Sequence, residues 1–113
     1  MKVYLAGPMT GLPDFNYPAF YAAAARLKEL GHTVANPAEI GTHFGTPENL
    51  AACSFLLGNL IREEIAQLLT CEAICLLPGW NRSVGARHEL LVALKNGLRV
   101  IDFEQDIKNR KDK

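Results

Sequence analysis

Residues 71–97 read CEAICLLPGWNRSVGARHELLVALKNG, and this stretch decides the fold. Residues 73–77 form a continuous apolar run, as expected for a strand that is covered on both faces. The Pro-Gly pair at 78–79 ends that strand, Ser83 suits a helix N-cap, and Gly97 suits a helix stop. The stretch therefore predicts a buried strand, a loop and a helix. In a parallel sheet such a loop lies at the carboxyl end of the strand, where α/β proteins bind ligands.

Further strand and helix signals lie on both sides of this stretch. We expect strands at residues 2–6, 32–35 and 98–103, and helices at residues 18–30 and 47–69. The intervening segments 7–16 and 38–46 are predicted to be loops. We expect the second helix to break near Gly58 and to face inward along one apolar stripe, made of Leu57, Ile61, Ile65 and Leu68.

The alternation of strands and helices predicts an α/β fold. We expect a single three-layer, flavodoxin-like or Rossmann-like domain over residues 1–103, with helices on both faces of a parallel sheet. The sheet should have about four or five strands in the order 2-1-3-4. The loop at Gly7 and the segment 78–89 would then face each other across one crevice. Residues 104–113 are charged and are predicted to be a frayed helix or disordered.

Composition narrows the classes of partner. The chain has 113 residues with 12 basic and 12 acidic side chains, and this balance argues against binding to nucleic acid polymers. No apolar run approaches the ~20 residues that span a bilayer. The chain starts directly on a strand, so we expect no signal peptide. Its three cysteines lie in apolar segments, without the spacing of a zinc site or a disulfide framework. We therefore expect a cytoplasmic protein without a metal site.

Glu89, in the predicted helix after the loop, is the leading candidate for chemistry. Its simpler interpretation is a solvated residue at the flank of an apolar stripe. Ser83 is most simply a helix cap, although its hydroxyl and the amides of Gly85 and Ala86 would also suit a phosphate. These two roles compete for the same groups. His88 is predicted to lie on the surface.

The loop after the first strand, Gly7-Pro8-Met9-Thr10-Gly11, offers a second candidate. It lacks the Gly-Lys-Ser/Thr of a Walker loop and the glycine spacing of a dinucleotide fingerprint. The simpler interpretation is a tight turn between a strand and a helix. The functional interpretation is a backbone that approaches a ligand closely, because glycine permits such contact.

Three pieces of the chain resemble the nucleoside 2-deoxyribosyltransferase-like superfamily. They are VYLAGP at 3–8, CEAI at 71–74 and SVGARHE at 83–89, and the resemblance spans residues 2–102. This superfamily includes nucleoside deoxyribosyltransferases and nucleoside 5′-monophosphate N-glycosidases. Within it the chain is most similar to a small family that is common in phages and prophages and has no assigned function. The resemblance implies a cytoplasmic location, in a bacterium or in the host of a phage.

The resemblance implies roles for three residues. Glu89 matches the nucleophile of the superfamily, and Tyr4 matches a tyrosine that lies near it. Ser83 stands where nucleoside-specific members carry a sugar-binding aspartate and monophosphate-specific members carry a phosphate-binding serine. The physics agrees, because an aspartate would repel phosphate. Glu89 should be ionised at neutral pH, which its place near a helix N-terminus favours.

An acidic residue before the third strand assists the leaving base in the superfamily. Glu64 is the candidate, with Glu63 and Glu72 as rivals, although the more usual residue is aspartate. The remaining residues predicted to bind substrate are Gly7, Pro8, Met9, Gly85 and Ala86.

The implied reaction is N-glycosidic bond cleavage or transfer through a covalent ester on Glu89, with no metal or cofactor. The expected substrate is a nucleotide, most simply a (deoxy)nucleoside 5′-monophosphate. A homodimer or higher homo-oligomer is expected, because a small sheet with an Ala- and Leu-rich helical layer leaves apolar surface exposed. The alternative function is a non-catalytic nucleotide-sensing module that keeps the crevice.

Overall fold

The computed structural model describes residues 1–108, without the side chains of Pro47 and Ala51. The strands are β1 (Lys2–Ala6), β2 (Thr33–Ala35), β3 (Ala73–Leu76) and β4 (Arg99–Asp102). The helices are α1 (Tyr17–Glu29), α2 (Pro37–Thr42), α3 (Pro47–Ala52), α4 (Ser54–Leu68) and α5 (Val84–Lys95). A short turn, Pro13–Asn16, precedes α1, another, Trp80–Arg82, precedes α5, and a π-helical turn, Phe103–Lys108, follows β4.

The four strands form one parallel sheet in the order β2-β1-β3-β4, which confirms the predicted fold class and strand order. Side chains of a strand alternate between the two faces of the sheet. Val3 and Leu5 of β1 accordingly pack in a core with Phe20 of α1. Tyr4 and its neighbours on the opposite face pack in a second core, against α4 and α5. Tyr4 of β1 therefore lies on the face of the sheet that α5 covers.

The predicted loop 38–46 is wrong in its first half, because α2 occupies Pro37–Thr42. Buried Asn36 caps this helix, since its Oδ1 accepts the N–H of Ala38 at 3.0 Å. Asn36 and Pro37 are therefore an N-cap followed by an N1 proline.

The predicted break near Gly58 is also wrong. The break falls at Cys53, which is extended at φ −128° and ψ 106° between α3 and α4, and Gly58 lies within α4. Glycine lowers the stability of a helix by about 1 kcal/mol but does not by itself end one. The predicted inner stripe is only partly correct, since Leu68 is buried whereas Leu57 and Ile61 are 39% and 45% exposed.

The first part of the predicted tail packs on the domain. Phe103–Lys108 forms the π-helical turn, and Ile107 is buried in the core that contains Phe20. Residues 109–113 lie outside the described part of the chain. No helix among residues 1–108 is long and apolar enough to cross a membrane.

Self-association stays a prediction, and exposed apolar side chains support it. Phe55, Val84 and Leu94 are 74%, 80% and 57% exposed. Burying such side chains between copies would stabilise a dimer, because apolar area removed from water contributes about 25 cal/mol per Å². We expect light scattering at micromolar concentration to give at least twice the chain mass. A monomer mass together with full activity would contradict this expectation.

Candidate active site

A crevice opens where the carboxyl ends of β1 and β3 lie side by side. The two strands hold their loops together here, because the N–H of Leu77 donates to the carbonyl oxygen of Ala6 at 2.8 Å. A Cβ atom on Gly7 would lie only 2.8 Å from Cβ of Leu77. Position 7 therefore requires glycine, because any larger residue would clash with the side chain of Leu77.

A cavity of about 370 Å³ lies in this crevice. The lining residues come from the first loop, α1, α2, α4 and the start of α5: Gly7, Met9, Thr10, Phe15, Tyr17, Phe20, Pro37, Leu57, Leu60, Ile61, Glu64, Ile65, Ser83, Val84, Gly85, Ala86, His88 and Glu89. Most of these side chains are apolar, so the few polar groups face a weakly solvated space.

Every predicted site residue but two lies in this lining. Pro8 does not line the cavity, although it belongs to the same loop. Tyr4 is fully buried in β1 and does not line the cavity, but its hydroxyl donates a hydrogen bond to Glu89, which does.

Tyr4 and Glu89 form the polar centre of the site. The hydroxyl of Tyr4 donates to Oε2 of Glu89 at 2.8 Å. Burial, followed by the charge of Glu89, raises the pKa of Tyr4, so the phenol keeps its proton to donate. Burial raises the pKa of Glu89 to about 7, against the opposing effect of the Tyr4 hydrogen bond. The helix N-terminus was expected to keep this carboxylate ionised, but desolvation outweighs it, and Glu89 titrates near neutral pH.

Glu64 faces the same cavity from α4. Burial raises its pKa to about 8, and the charge of Glu89 contributes in the same direction. Two interacting carboxyls lose their protons in successive steps. Because the charge of Glu89 raises the pKa of Glu64, the site favours the form in which Glu89 is charged and Glu64 keeps its proton.

The two rivals of Glu64 lie elsewhere. Adjacent residues of a helix point about 100° apart. Glu63 accordingly faces a second depression beside Asn36 and accepts a hydrogen bond from Nε2 of Gln67 at 3.0 Å. Glu72 lies at the amino end of β3, where its Oε1 accepts the N–H of Lys2 at 2.9 Å. Of the three candidates, the structure brings only Glu64 into the cavity with Glu89.

Ser83 caps α5 as predicted, because its Oγ accepts the N–H of Ala86 at 3.1 Å. The amide of Ala86 is therefore engaged within the helix. The N–H groups of Val84 and Gly85 are the first two of α5 and have no intrahelical acceptor. Since Ser83 uses a lone pair for the cap, its hydroxyl hydrogen stays available to a ligand. The capping role and the ligand role are compatible.

Sequence reasoning missed an aromatic wall of the cavity. Phe15 and Tyr17 both line it, and their rings meet edge to face with centroids 6.1 Å apart at 78°. Two aromatic residues at the end of a loop rich in Gly, Pro and Asp were the available signal, because ligand-binding residues concentrate on such loops. His88 is exposed as predicted, but it also lines the cavity.

Residues 1–108 contain no group of three or more His, Cys, Asp or Glu side chains arranged to hold a metal ion. The polar groups of the cavity are instead two carboxyls, hydroxyls, one imidazole and backbone amides.

The raised pKa values predict a pH dependence of stability. In the folded chain the pKa is raised from 4.5 to about 8 for Glu64 and to about 7 for Glu89. Between these limits the folded state binds more protons than the unfolded state, so this contribution to stability is lost as pH rises. Relative to wild type, we expect the free energy of unfolding of Glu64→Gln to rise by about 4 kcal/mol between pH 5 and pH 9. Urea unfolding at both pH values measures the difference. Glu63→Gln is the matched control and should follow wild type, and a Glu64→Gln variant that does the same would contradict the burial of this carboxyl.

Comparison with known proteins identifies a family that the chain matches and a solved structure with a similar fold. A profile of the family described as "Domain of unknown function (DUF4406)" matches residues 1–102. No curated protein sequence matches the chain. Among solved structures, the chain is similar to a 2-deoxyribosyltransferase from the psychrotolerant bacterium Bacillus psychrosaccharolyticus. The TM-score is 0.65 at 20% identity, over 96% of this chain and 77% of that one. This likeness confirms a 2-deoxyribosyltransferase-like fold.

Proposed function

The chain belongs to the DUF4406 family, whose function is unassigned, and from its cavity we propose that it cleaves or transfers the N-glycosidic bond of (deoxy)nucleoside 5′-monophosphates. The observation that carries the proposal is the pairing of Glu89 with Glu64. One carboxyl is held by buried Tyr4 and titrates near neutral pH, whereas the other keeps its proton, and both face one apolar cavity. Two carboxyls with separated pKa values are the usual pattern of a nucleophile and an acid in glycoside chemistry.

In the first step, an oxygen of the Glu89 carboxylate forms a bond to the anomeric carbon while the bond from that carbon to the base nitrogen breaks. The electron pair of the breaking bond goes to the base, which takes the proton of Glu64. The product is a free base and a sugar ester on Glu89. Tyr4 keeps Glu89 in place through its hydrogen bond to Oε2.

In the second step, the ionised Glu64 takes a proton from water, and the water oxygen attacks the anomeric carbon. The bond between the sugar and Glu89 breaks, and Glu64 regains its proton. Hydrolysis releases a sugar phosphate. When a nitrogen of a second base attacks instead of water, the result is transfer. The fold likeness to a 2-deoxyribosyltransferase is consistent with either outcome.

The start of α5 is the proposed phosphate subsite. The hydroxyl of Ser83 and the N–H groups of Val84 and Gly85 supply donors without an acceptor in the helix. A helix N-terminus also carries a partial positive charge, which favours an anion. Because Glu89 lies on the same helix, a phosphate bound there would leave the sugar beside its carboxylate.

Two substitutions at Ser83 test the phosphate subsite. Ser83→Asp keeps an N-cap oxygen but places a negative charge beside the phosphate. We expect it to lose monophosphate turnover and to keep whatever nucleoside turnover wild type has. Ser83→Ala should weaken monophosphate use by about 1–3 kcal/mol, the range for a hydrogen bond to a charged group. The ratio of kcat/KM for a monophosphate to that for its nucleoside is the readout. An unchanged ratio in both variants would mean that Ser83 caps α5 and does not bind the phosphate.

A screen for free base tests the function as a whole. The purified protein is incubated with the common ribonucleoside and deoxyribonucleoside 5′-monophosphates, with and without a second base, and released base is measured by chromatography. Release without an added base indicates hydrolysis, and formation of a new nucleotide indicates transfer. Tight binding of a monophosphate with no release would instead support the nucleotide-sensing alternative.

A further inference from the structure

The loop between β1 and α1 contains three consecutive left-handed residues that are not glycine. Asp14, Phe15 and Asn16 have φ values of 52°, 54° and 59°. Asn and Asp visit this region several-fold more often than other residues, but a bulky residue such as phenylalanine is an outlier there. Strained backbone of this kind persists only where its surroundings hold it, and it concentrates at functional sites.

The side chain of Asn16 holds this turn. Its Nδ2 donates to the carbonyl oxygen of Pro8 at 3.0 Å, which ties the last residue of the loop to its beginning. Backbone hydrogen bonds shape the segment between them: the N–H of Leu12 donates to Met9 at 3.1 Å, and that of Phe15 donates to Leu12 at 3.0 Å. The amide of Asn16 is therefore the side-chain clamp of the loop.

The left-handed turn has one visible result in the site. It turns the ring of Phe15 into the cavity and against Tyr17. The carboxyls of Glu64 and Glu89 come from α4 and α5, so the aromatic side chains supply a separate, apolar wall of the same space. A nucleotide base has a π-face that stacks on an aromatic ring and is the apolar part of the proposed substrate.

We propose that Asn16 is a positioning residue of this site, which clamps the left-handed turn so that Phe15 forms the wall on which the substrate's base stacks. The inference rests on the proposed function for the identity of the ligand. The clamp itself rests on the hydrogen bond to Pro8 and on the backbone conformation.

Asn16→Gly and Asp14→Gly form a matched pair for the test. Both replace a left-handed residue with glycine, which adopts positive φ freely, but only the first removes the amide clamp. The probes are the four common deoxynucleoside 5′-monophosphates. With the best of them, we expect Asn16→Gly to raise KM about five- to tenfold, in line with the loss of one hydrogen bond, while kcat changes less. Asp14→Gly should keep the wild-type KM. Equal KM values for the two variants would overturn the positioning role.

Limited digestion with chymotrypsin, without any ligand, separates the clamp from the proposed function. The loop offers the bond after Phe15 as the cleavage point, because the bond after Leu12 precedes Pro13 and resists the protease. We expect cleavage after Phe15 to be faster in Asn16→Gly than in Asp14→Gly or wild type. Equal cleavage rates would overturn the clamp whatever the activity. Faster cleavage in a protein that releases no base from any monophosphate would overturn the proposed function and leave the clamp standing.

Discussion

Replacing Glu89 with glutamine should lower monophosphate turnover by several orders of magnitude and leave the fold nearly unchanged. Glutamine has almost the same volume, and its carbonyl oxygen can still accept the hydrogen bond of Tyr4, which spans 2.8 Å in the native chain. It cannot form the sugar ester, so the covalent path is closed. Stopped assays with the best monophosphate of the screen, alongside thermal unfolding, measure both parts of this prediction.

A trapping experiment identifies the nucleophile directly. A monophosphate with a 2-fluoro sugar should react slowly and leave wild-type protein heavier by one sugar phosphate, on the peptide that contains Glu89. Glu63→Gln is the matched control, because this residue faces the second depression and should keep both turnover and the adduct. Near-normal turnover in Glu89→Gln would contradict the proposed mechanism. It would support the simpler interpretation, in which Glu89 is a residue at the flank of an apolar stripe without a catalytic role.

Glu64→Gln should lower turnover by about 10²- to 10⁴-fold, the usual contribution of a general acid. The wild-type rate should rise as Glu89 loses its proton near pH 7 and should fall as Glu64 loses its proton near pH 8. The pH–rate profile should therefore be bell-shaped. In Glu64→Gln the alkaline fall should disappear, because the group that causes it is gone.

The leaving group distinguishes an acid from a residue that only shapes the cavity. A sugar phosphate that carries nitrophenolate in place of the base needs no proton to depart. Glu64→Gln should therefore cleave this substrate at a rate much closer to wild type than it cleaves a nucleotide. The neighbouring variant Glu63→Gln should behave as wild type on both substrates. An equal loss on both substrates in Glu64→Gln would mean that the residue does not protonate the base.

Local signals were sufficient for the architecture. The apolar run at 73–77, the Pro-Gly pair after it and the cap at Ser83 predict a strand, a loop and a helix, and all three are present. Repetition of that unit is enough to predict a parallel sheet, because a strand–helix–strand connection constrains direction and handedness. The same local signals were misread at Asn36-Pro37, where a cap and an N1 proline begin a helix that is too short to show an amphipathic pattern.

The candidate site was predicted less completely, because it depends on which way side chains face. The pieces that resemble a known superfamily pointed to Glu89, Tyr4 and Ser83. They did not separate Glu64 from Glu63, which are adjacent in sequence but face different depressions once α4 is docked. Nor did they predict that Leu57 and Ile61 would line a cavity instead of filling the core.

The sequence by itself determined the α/β class and the helix cap beside the crevice, because these follow from hydrophobic period and turn chemistry within short segments. The strand order could be predicted only through the fold class that these elements indicate. Only the tertiary structure decided the protonation of the two carboxyls and the placement of the aromatic wall. Desolvation depends on every element that packs around a group, so the chain near Glu89 suggested an ionised carboxylate, whereas the folded cavity raises its pKa to about 7. The left-handed conformation of Phe15 likewise accompanies a hydrogen bond from Asn16 back to Pro8, and the preference of phenylalanine itself would not predict it.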